Sequence, residues 1–164
     1  MSDFRIFIGL GGNLGNPKES FSKAMKLLSE SGCTLIQKSS LYRTKPYGFS
    51  DQPDFLNAVL EIRTAKSPID LLKTLQGIEN ELGKKVVREN GPRLIDMDLL
   101  IYGDQVINER ELTVPHPGVA SRDFVLLPLC EFASEYVHPT SGRKLEQHLS
   151  EISEIYASGE RESW

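Results

Sequence analysis

A chain of 164 residues, 39% of them hydrophobic, is long enough for one core that buries about two-thirds of its unfolded surface without covalent staples. Its net charge of −4, with lysine and arginine interspersed among carboxylates, gives no electrostatic footprint for duplex nucleic acid or an anionic membrane, so any phosphate it binds is small and locally held. Cys33 and Cys130 fit no metal or redox spacing and are expected as buried free thiols. With no apolar run of membrane-spanning length and an N-terminus that enters a strand pattern at once, the expectation is a cytoplasmic protein, a monomer, with one domain over 1–164.

Phe4, Ile6, Ile8 and Leu10 alternate with Arg5, Phe7 and Gly9 and predict a first strand that runs into Gly11-Gly12-Asn13-Leu14-Gly15. A dinucleotide fingerprint fails there, because Gly9-x-Gly11 would need glycine where Leu14 stands, and no P-loop pattern occurs anywhere. The glycines are read as a tight strand-to-helix turn, with Asn13 bonding its own loop. Asn16-Pro17 then caps a helix with the stripe Phe21, Ala24, Met25 and Leu28, stopped by Gly32. Residues 34–44 lean to strand, and 45–54, with two aromatics and two prolines, form a loop long enough to carry function.

From 55 to 63 the alternation returns, with Leu56, Ala58, Leu60 and Ile62 on one face and Phe55, Asn57, Val59 and Glu61 on the other. Asn57 thus sits among apolar neighbours and needs partners, either backbone or the amide-like edge of a ligand. Ser67-Pro68 caps a second helix whose stripe is Leu71, Leu75, Ile78 and Leu82, ended by Gly83, with Gln76 and Glu79 on its other edge. Residues 84–90 carry Lys84, Lys85 and Arg88. Such charge runs are usually just solvated, but this one leads into the next strand and suits a mobile phosphate clamp.

That strand, within Gly91-Pro92-Arg93-Leu94-Ile95-Asp96-Met97-Asp98-Leu99-Leu100-Ile101-Tyr102, sets Ile95, Met97, Leu99 and Ile101 against Leu94, Asp96, Asp98, Leu100 and Tyr102. Two aspartates on one face, roughly 6–7 Å apart, repel and resist burial unless a cation joins them. All-oxygen carboxylate ligands suit Mg²⁺, which completes its shell with water and substrate phosphate. Arg93 adds a planar fork for phosphate oxygens. The bland alternative, a solvated edge strand, is disfavoured by Leu94, Leu100 and Tyr102 on the same face. Gly103-Asp104-Gln105 makes a turn, 106–108 are expected to pair back, and Ser121 is expected to cap a short helix from Arg122 towards Phe132. A lone histidine such as His116 is more often structural than catalytic. Beyond Glu135 only the Ser141-Gly142 turn and a polar amphipathic end are legible.

Together these residues resemble the 6-hydroxymethyl-7,8-dihydropterin pyrophosphokinase family of folate biosynthesis. The resemblance covers nearly the whole chain. It rests on Gly-Pro-Arg-x-x-Asp-x-Asp followed by two aliphatics at 91–100, supported by Tyr42-Arg43-Thr44, Asp51-Gln52-Pro53-Asp54-Phe55-Leu56-Asn57-Ala58 and Leu112-Thr113-Val114-Pro115-His116. It implies an α/β (α+β) ferredoxin-like sandwich, a mainly antiparallel sheet with helices packed on it, in agreement with the element order just read. It implies transfer of diphosphate from MgATP, as co-substrate, to the pterin hydroxymethyl oxygen with release of AMP. The resemblance further implies two Mg²⁺ ions on Asp96 and Asp98, and catalytic roles for those aspartates with Arg93 and Lys84. It places Gln76, Arg88, Leu99, Thr113, His116 and Arg122 on ATP and Thr44, Tyr47, Phe55, Asn57 and Phe124 on the pterin. A flat heterocycle wants an aromatic on each face and an amide at its edge.

The chain departs from the family pattern at Asn90, where tryptophan is frequent, at Glu89 and Glu111, where basic residues are common, at Gly12, often serine, and at Lys45, often proline. Two other classes compete: a non-catalytic small-molecule-binding module on the same sandwich, and a metal-dependent nuclease or nucleotidyltransferase using Asp-x-Asp. The first has no need for paired carboxylates beside Arg93, and the second would want basic surface.

Overall fold

In the computed structural model, which describes residues 4–46, 51–83 and 94–164, two capped helices and the strands between them build the frame. Asn16 accepts from Glu19 N and Pro17 takes the first helical position, so α1 (Pro17–Glu30) begins as predicted and buries Phe21, Ala24 and Leu28. Ser67 does the same for α2 (Pro68–Glu81), accepting from Asp70 N. Gly32 and Gly83 follow the two helices with φ of 85° and 81°, left-handed backbone that a side chain would disfavour.

The remaining strands are β1 (Ile6–Gly12), β2 (Cys33–Lys38), β3 (Leu41–Thr44), β4 (Phe55–Thr64), β5 (Asp96–Tyr102) and β8 (Ala157–Glu162), with β6 (Ile107–Asn108) and β7 (Thr113–Val114) forming a small separate ladder. The sheet runs β5-β1-β4-β3-β8, and β2 lies end to end with β3 along the same edge of β4. All these pairings are antiparallel. With β2 and β3 counted as one sheet position, the order is that of a ferredoxin-like βαββαβ unit, as the sequence implied.

Helices cover both faces. On one, α1 and α2 close over Ile6, Ile8, Leu10, Leu56, Ala58, Leu60, Ile62, Met97 and Leu99. On the other, α3 (Asp123–Ala133) and α4 (Leu145–Ser150) pack Leu126, Leu129, Ala133 and Leu145 against Phe7, Val59, Leu100 and Ile101. The alternation of β4 is thus realised as read.

Four local expectations are corrected. β1 extends through Gly11 and Gly12, so those glycines are strand residues and not a turn, and the two amide hydrogens of Asn13 go to Gln52 Oε1 (3.0 Å) and Pro53 O (2.8 Å), tying β1 to the loop before β4. Strict alternation also fails at the end of β5. Phe7 opposes Ile101 and Ile8 opposes Leu99, so Leu100 is an extra residue that swaps the faces of Ile101 and Tyr102. The strand at 107–108 pairs forward with β7, not back on β5. Ser121 does not cap α3: its Oγ bonds Pro117 O in the 3₁₀ turn Pro117–Ala120, and Arg122 is the N-cap residue, without a side-chain cap.

At the far end of the α3 face, Arg5 forms a two-pronged ion pair with Glu61 (3.0 and 2.8 Å), and Gln37 Nε2 donates to the same carboxylate at 2.7 Å. Burial pushes the Glu61 carboxyl up, but Arg5 and Gln37 outweigh it and hold the group below its ordinary value. Because the folded carboxyl is depressed, its contribution to stability is present above the unfolded value near 4.5 and is lost as pH falls through the folded one. Glu61→Gln should therefore cost about 2 kcal/mol at pH 7. In urea denaturation the gap to wild type should close on acidification below pH 4; a gap that persisted there would show that packing, not charge, is lost.

Candidate active site

Strand pairing puts the chemistry in register. Asp96, Gly11 and Asn57 are directly opposite one another across β5, β1 and β4, and Asp98, Gly9 and Val59 form the next row. Opposed residues share a face, here the one towards α3. The two glycines leave a trough between the carboxylate strand and the amide strand. A Cβ on Gly11 would stand 2.9 Å from Asn57 Oδ1, and one on Gly9 would stand 3.4 Å from Leu100. Sequence reading missed this role, although glycines two apart inside a strand pattern are a usable signal for close approach of a ligand.

One cleft over this trough is lined by Gly9, Gly11, Thr44, Lys45, Phe55, Asn57, Asp96, Asp98, Leu100, Arg122 and Phe124, among others. Seven residues singled out from sequence, Thr44, Phe55, Asn57, Asp96, Asp98, Arg122 and Phe124, thus converge there. Thr44 is buried and its Oγ1 accepts from Asn57 Nδ2 at 2.6 Å, which fixes the carboxamide with Oδ1 over Gly11. Phe55 opens β4, while Phe124 stands in the first turn of α3 with the Arg122 guanidinium 5.8 Å from its ring centre. The cleft therefore presents aromatic surface from two elements and one oriented amide.

Asp96 is half-buried and Asp98 exposed at the cleft. β5 ends the sheet, so the edge strand of the bland reading is real, but its carboxylates face the cleft. Glu79, buried on α2, accepts from Met97 N at 2.8 Å and pins the strand between the two aspartates. Sequence reading placed Glu79 only on a helix edge. Among the described residues no group of three His, Cys, Asp or Glu side chains could hold a metal. Two carboxylates on consecutive same-face positions are an all-oxygen set that fits Mg²⁺ sharing its shell with water and phosphate, not a closed protein cage.

His116 donates its backbone N–H to Leu100 O (2.8 Å), and its Nδ1 accepts from Gly118 N (2.9 Å), which leaves the ring proton on Nε2. Burial, aided by the Arg122 charge, lowers its pKa to about 4, so the ring is neutral at pH 7. Gly118 makes the pair possible, since a Cβ there would lie 3.0 Å from Arg122 Cδ and 3.2 Å from His116 Nδ1. The unfolded chain takes up this proton near pH 6.5 and the folded one only near 4. Stability should therefore fall as pH drops across that window, and less steeply in His116→Gln. Equal slopes in equilibrium unfolding would contradict the assignment.

The other expected residues lie elsewhere. Gln76 and Thr113 are exposed and do not line the cleft, and His116, close to Arg122, does not line it either. Leu99 puts its side chain into the core under α1 and α2, so its backbone alone is left for a ligand. Tyr47, Lys84, Arg88 and Arg93, with the expected loop clamp, lie outside the described residues. Both cysteines are free thiols, Cys33 buried and Cys130 half-buried. Among the described residues no helix is long and apolar enough to cross a membrane.

Fold and site define an α+β sandwich with a cleft edged by two carboxylates and two aromatic rings. Residues 7–134 match the model of the 7,8-dihydro-6-hydroxymethylpterin-pyrophosphokinase family, and the chain belongs to that family. It is 46% identical over 136 residues to the 2-amino-4-hydroxy-6-hydroxymethyldihydropteridine pyrophosphokinase of Haemophilus influenzae, covering 82% of this chain and 85% of that protein. It is 42% identical over 147 residues to the folic acid synthesis protein fol1 of Pneumocystis carinii, covering 90% of this chain but 20% of that protein. The chain thus spans about a fifth of this fungal relative's length. The fold is also that of the Plasmodium falciparum HPPK-DHPS wild type with STZ-DHP, at a TM-score of 0.74 and 15% identity, over 90% of this chain and 43% of that one.

Proposed function

We propose that this chain is a single pyrophosphokinase domain that transfers diphosphate from MgATP to 6-hydroxymethyl-7,8-dihydropterin in a step of folate synthesis, releasing AMP. The new bond joins the hydroxymethyl oxygen to the β-phosphorus. The bond from that phosphorus to the oxygen bridging to the α-phosphorus breaks, AMP departs with the oxygen, and the hydroxyl proton is released. Phe55 and Phe124 stack on the pterin faces, and Asn57, oriented by Thr44, reads the edge. Asp96 and Asp98 hold Mg²⁺, two ions in our reading, which supplies charge neutralisation on the phosphates when bound. Arg122 places a fixed positive charge at the cleft and the His116 Nε2–H is a neutral donor beside it, with Gln76, Thr113 and the Leu99 backbone assigned to the nucleotide by family resemblance. Arg93, Lys84 and Arg88 complete the phosphate contacts on sequence grounds. The protein acts as a cytoplasmic monomer on small molecules, with no nucleic acid or membrane partner.

The observation that carries this reading is the row Asp96–Gly11–Asn57, which sets a carboxylate and an oriented amide on either side of a glycine gap. The test is to mix the protein with MgATP and the reduced pterin and to identify the nucleotide formed. AMP without orthophosphate, abolished by chelation of the metal, is expected. ADP, or no pterin-dependent product, would overturn the reading.

A further inference from the structure

The family match ends at residue 134, yet the chain beyond it returns to the cleft. Asp123, the first residue of α3, is fully buried and accepts through Oδ2 from Tyr156 N (3.0 Å) and Ala157 N (2.8 Å). Among the described residues its Oδ1 has no hydrogen-bond partner. Leaving one oxygen of a buried carboxylate unpaired costs stability, so the gain from this side chain lies in where it holds residues 156 and 157. The Tyr156 carbonyl accepts from Lys45 N at 2.9 Å, and Ala157 is paired with Thr44 as β8 joins β3. The Tyr156 ring meets Phe124 edge-on, with centres 6.1 Å apart at 88°, and Lys45 Nζ lies 5.7 Å from its centre. One residue therefore touches both walls of the cleft: the end of β3, where Thr44 orients Asn57, and the start of α3, which carries Phe124.

We propose that Tyr156, held by Asp123, is a positioning residue for pterin binding: its ring, perpendicular to that of Phe124, fixes the plane of Phe124, and its backbone sets the spacing between that ring and the Thr44–Asn57 wall. The inference rests on the pterin reading of the cleft. An edge-to-face pair of this kind is worth enough that losing it should weaken binding about five- to tenfold.

The experiment compares wild type, Tyr156→Ala and Tyr156→Phe in the full chain. It measures the dissociation constant for the reduced pterin, that for a non-hydrolysable MgATP analogue, KM and kcat for the pterin, and the thermal midpoint. Tyr156→Ala should lose about five- to tenfold in pterin affinity and raise KM by the same factor, while kcat and analogue affinity stay within about twofold. Tyr156→Phe, which keeps the ring edge and loses only the hydroxyl that bonds Glu154, should bind pterin within about twofold of wild type. Unchanged pterin affinity in Tyr156→Ala overturns the inference. So does an equal loss for pterin and nucleotide that tracks a lower thermal midpoint, and so does a Tyr156→Phe that falls as far as the alanine variant. A wild type that neither binds the pterin nor releases AMP counts against the reading of the cleft itself; an active wild type with an indifferent Tyr156→Ala counts against this inference alone.

Discussion

Asp96→Ala and Asp98→Ala are each expected to lower turnover by about a thousandfold or more while the protein stays folded. The two carboxylates lie two residues apart on one face of β5, opposite Gly11 and Gly9, and removing either halves the set of oxygen ligands offered at that edge of the cleft. Nothing in the core is lost, because the apolar residues of β5 that anchor it, Met97, Leu99, Leu100 and Ile101, remain buried. Stability should hold or rise, since one of two neighbouring like charges is gone. Circular dichroism with thermal melting reports the fold, and AMP formation across a Mg²⁺ titration reports the chemistry. A variant with normal Mg²⁺-dependent turnover would refute the assignment of both aspartates as metal ligands. A variant that lost activity together with its melting transition would show β5 to be held by these side chains and not by its core face.

Asn57→Ala should weaken the reduced pterin roughly 10- to 100-fold and leave a MgATP analogue nearly unchanged, because an edge with adjacent donors and acceptors loses one or two well-placed hydrogen bonds. The geometry adds a second way to reach the same loss. Gly11→Ala keeps Asn57 but drives a Cβ to within 2.9 Å of its Oδ1, so the carboxamide must leave the orientation that Thr44 holds. The two substitutions disable one device, and the double variant should be little worse than either alone. Calorimetric titration with each ligand decides the matter. Equal losses for pterin and nucleotide would mean that Asn57 only ties β4 to β3, and additive losses would mean that Gly11 acts on something other than the amide.

The sequence by itself determined whatever depends on neighbours along the chain. Asn16-Pro17 and Ser67-Pro68 fix where α1 and α2 begin, and the period of two in 55–63 assigns each β4 side chain to its face. The Asp-x-Asp pair is visible as a chemical anomaly without any fold, because two charges on one face two residues apart repel each other. Local rules failed where long-range pairing overrode them. Gly11 and Gly12 have turn chemistry, but antiparallel partners in β4 hold both in the strand, and the extra residue at Leu100 reverses a face pattern that looked regular. The segment from Ala157 to Glu162 has little strand propensity of its own; it becomes β8 because the edge of β3 and the buried carboxylate of Asp123 accept its backbone. For the same reason Lys45, Glu79 and Tyr156 were invisible as parts of the site: each belongs to it through a contact with a residue at least 18 positions away, such as Glu79 with Met97 N. Spacing along the chain reveals which side chains share a face, while the identity of what that face looks at is decided only when β5, β1 and β4 come into register beneath α3.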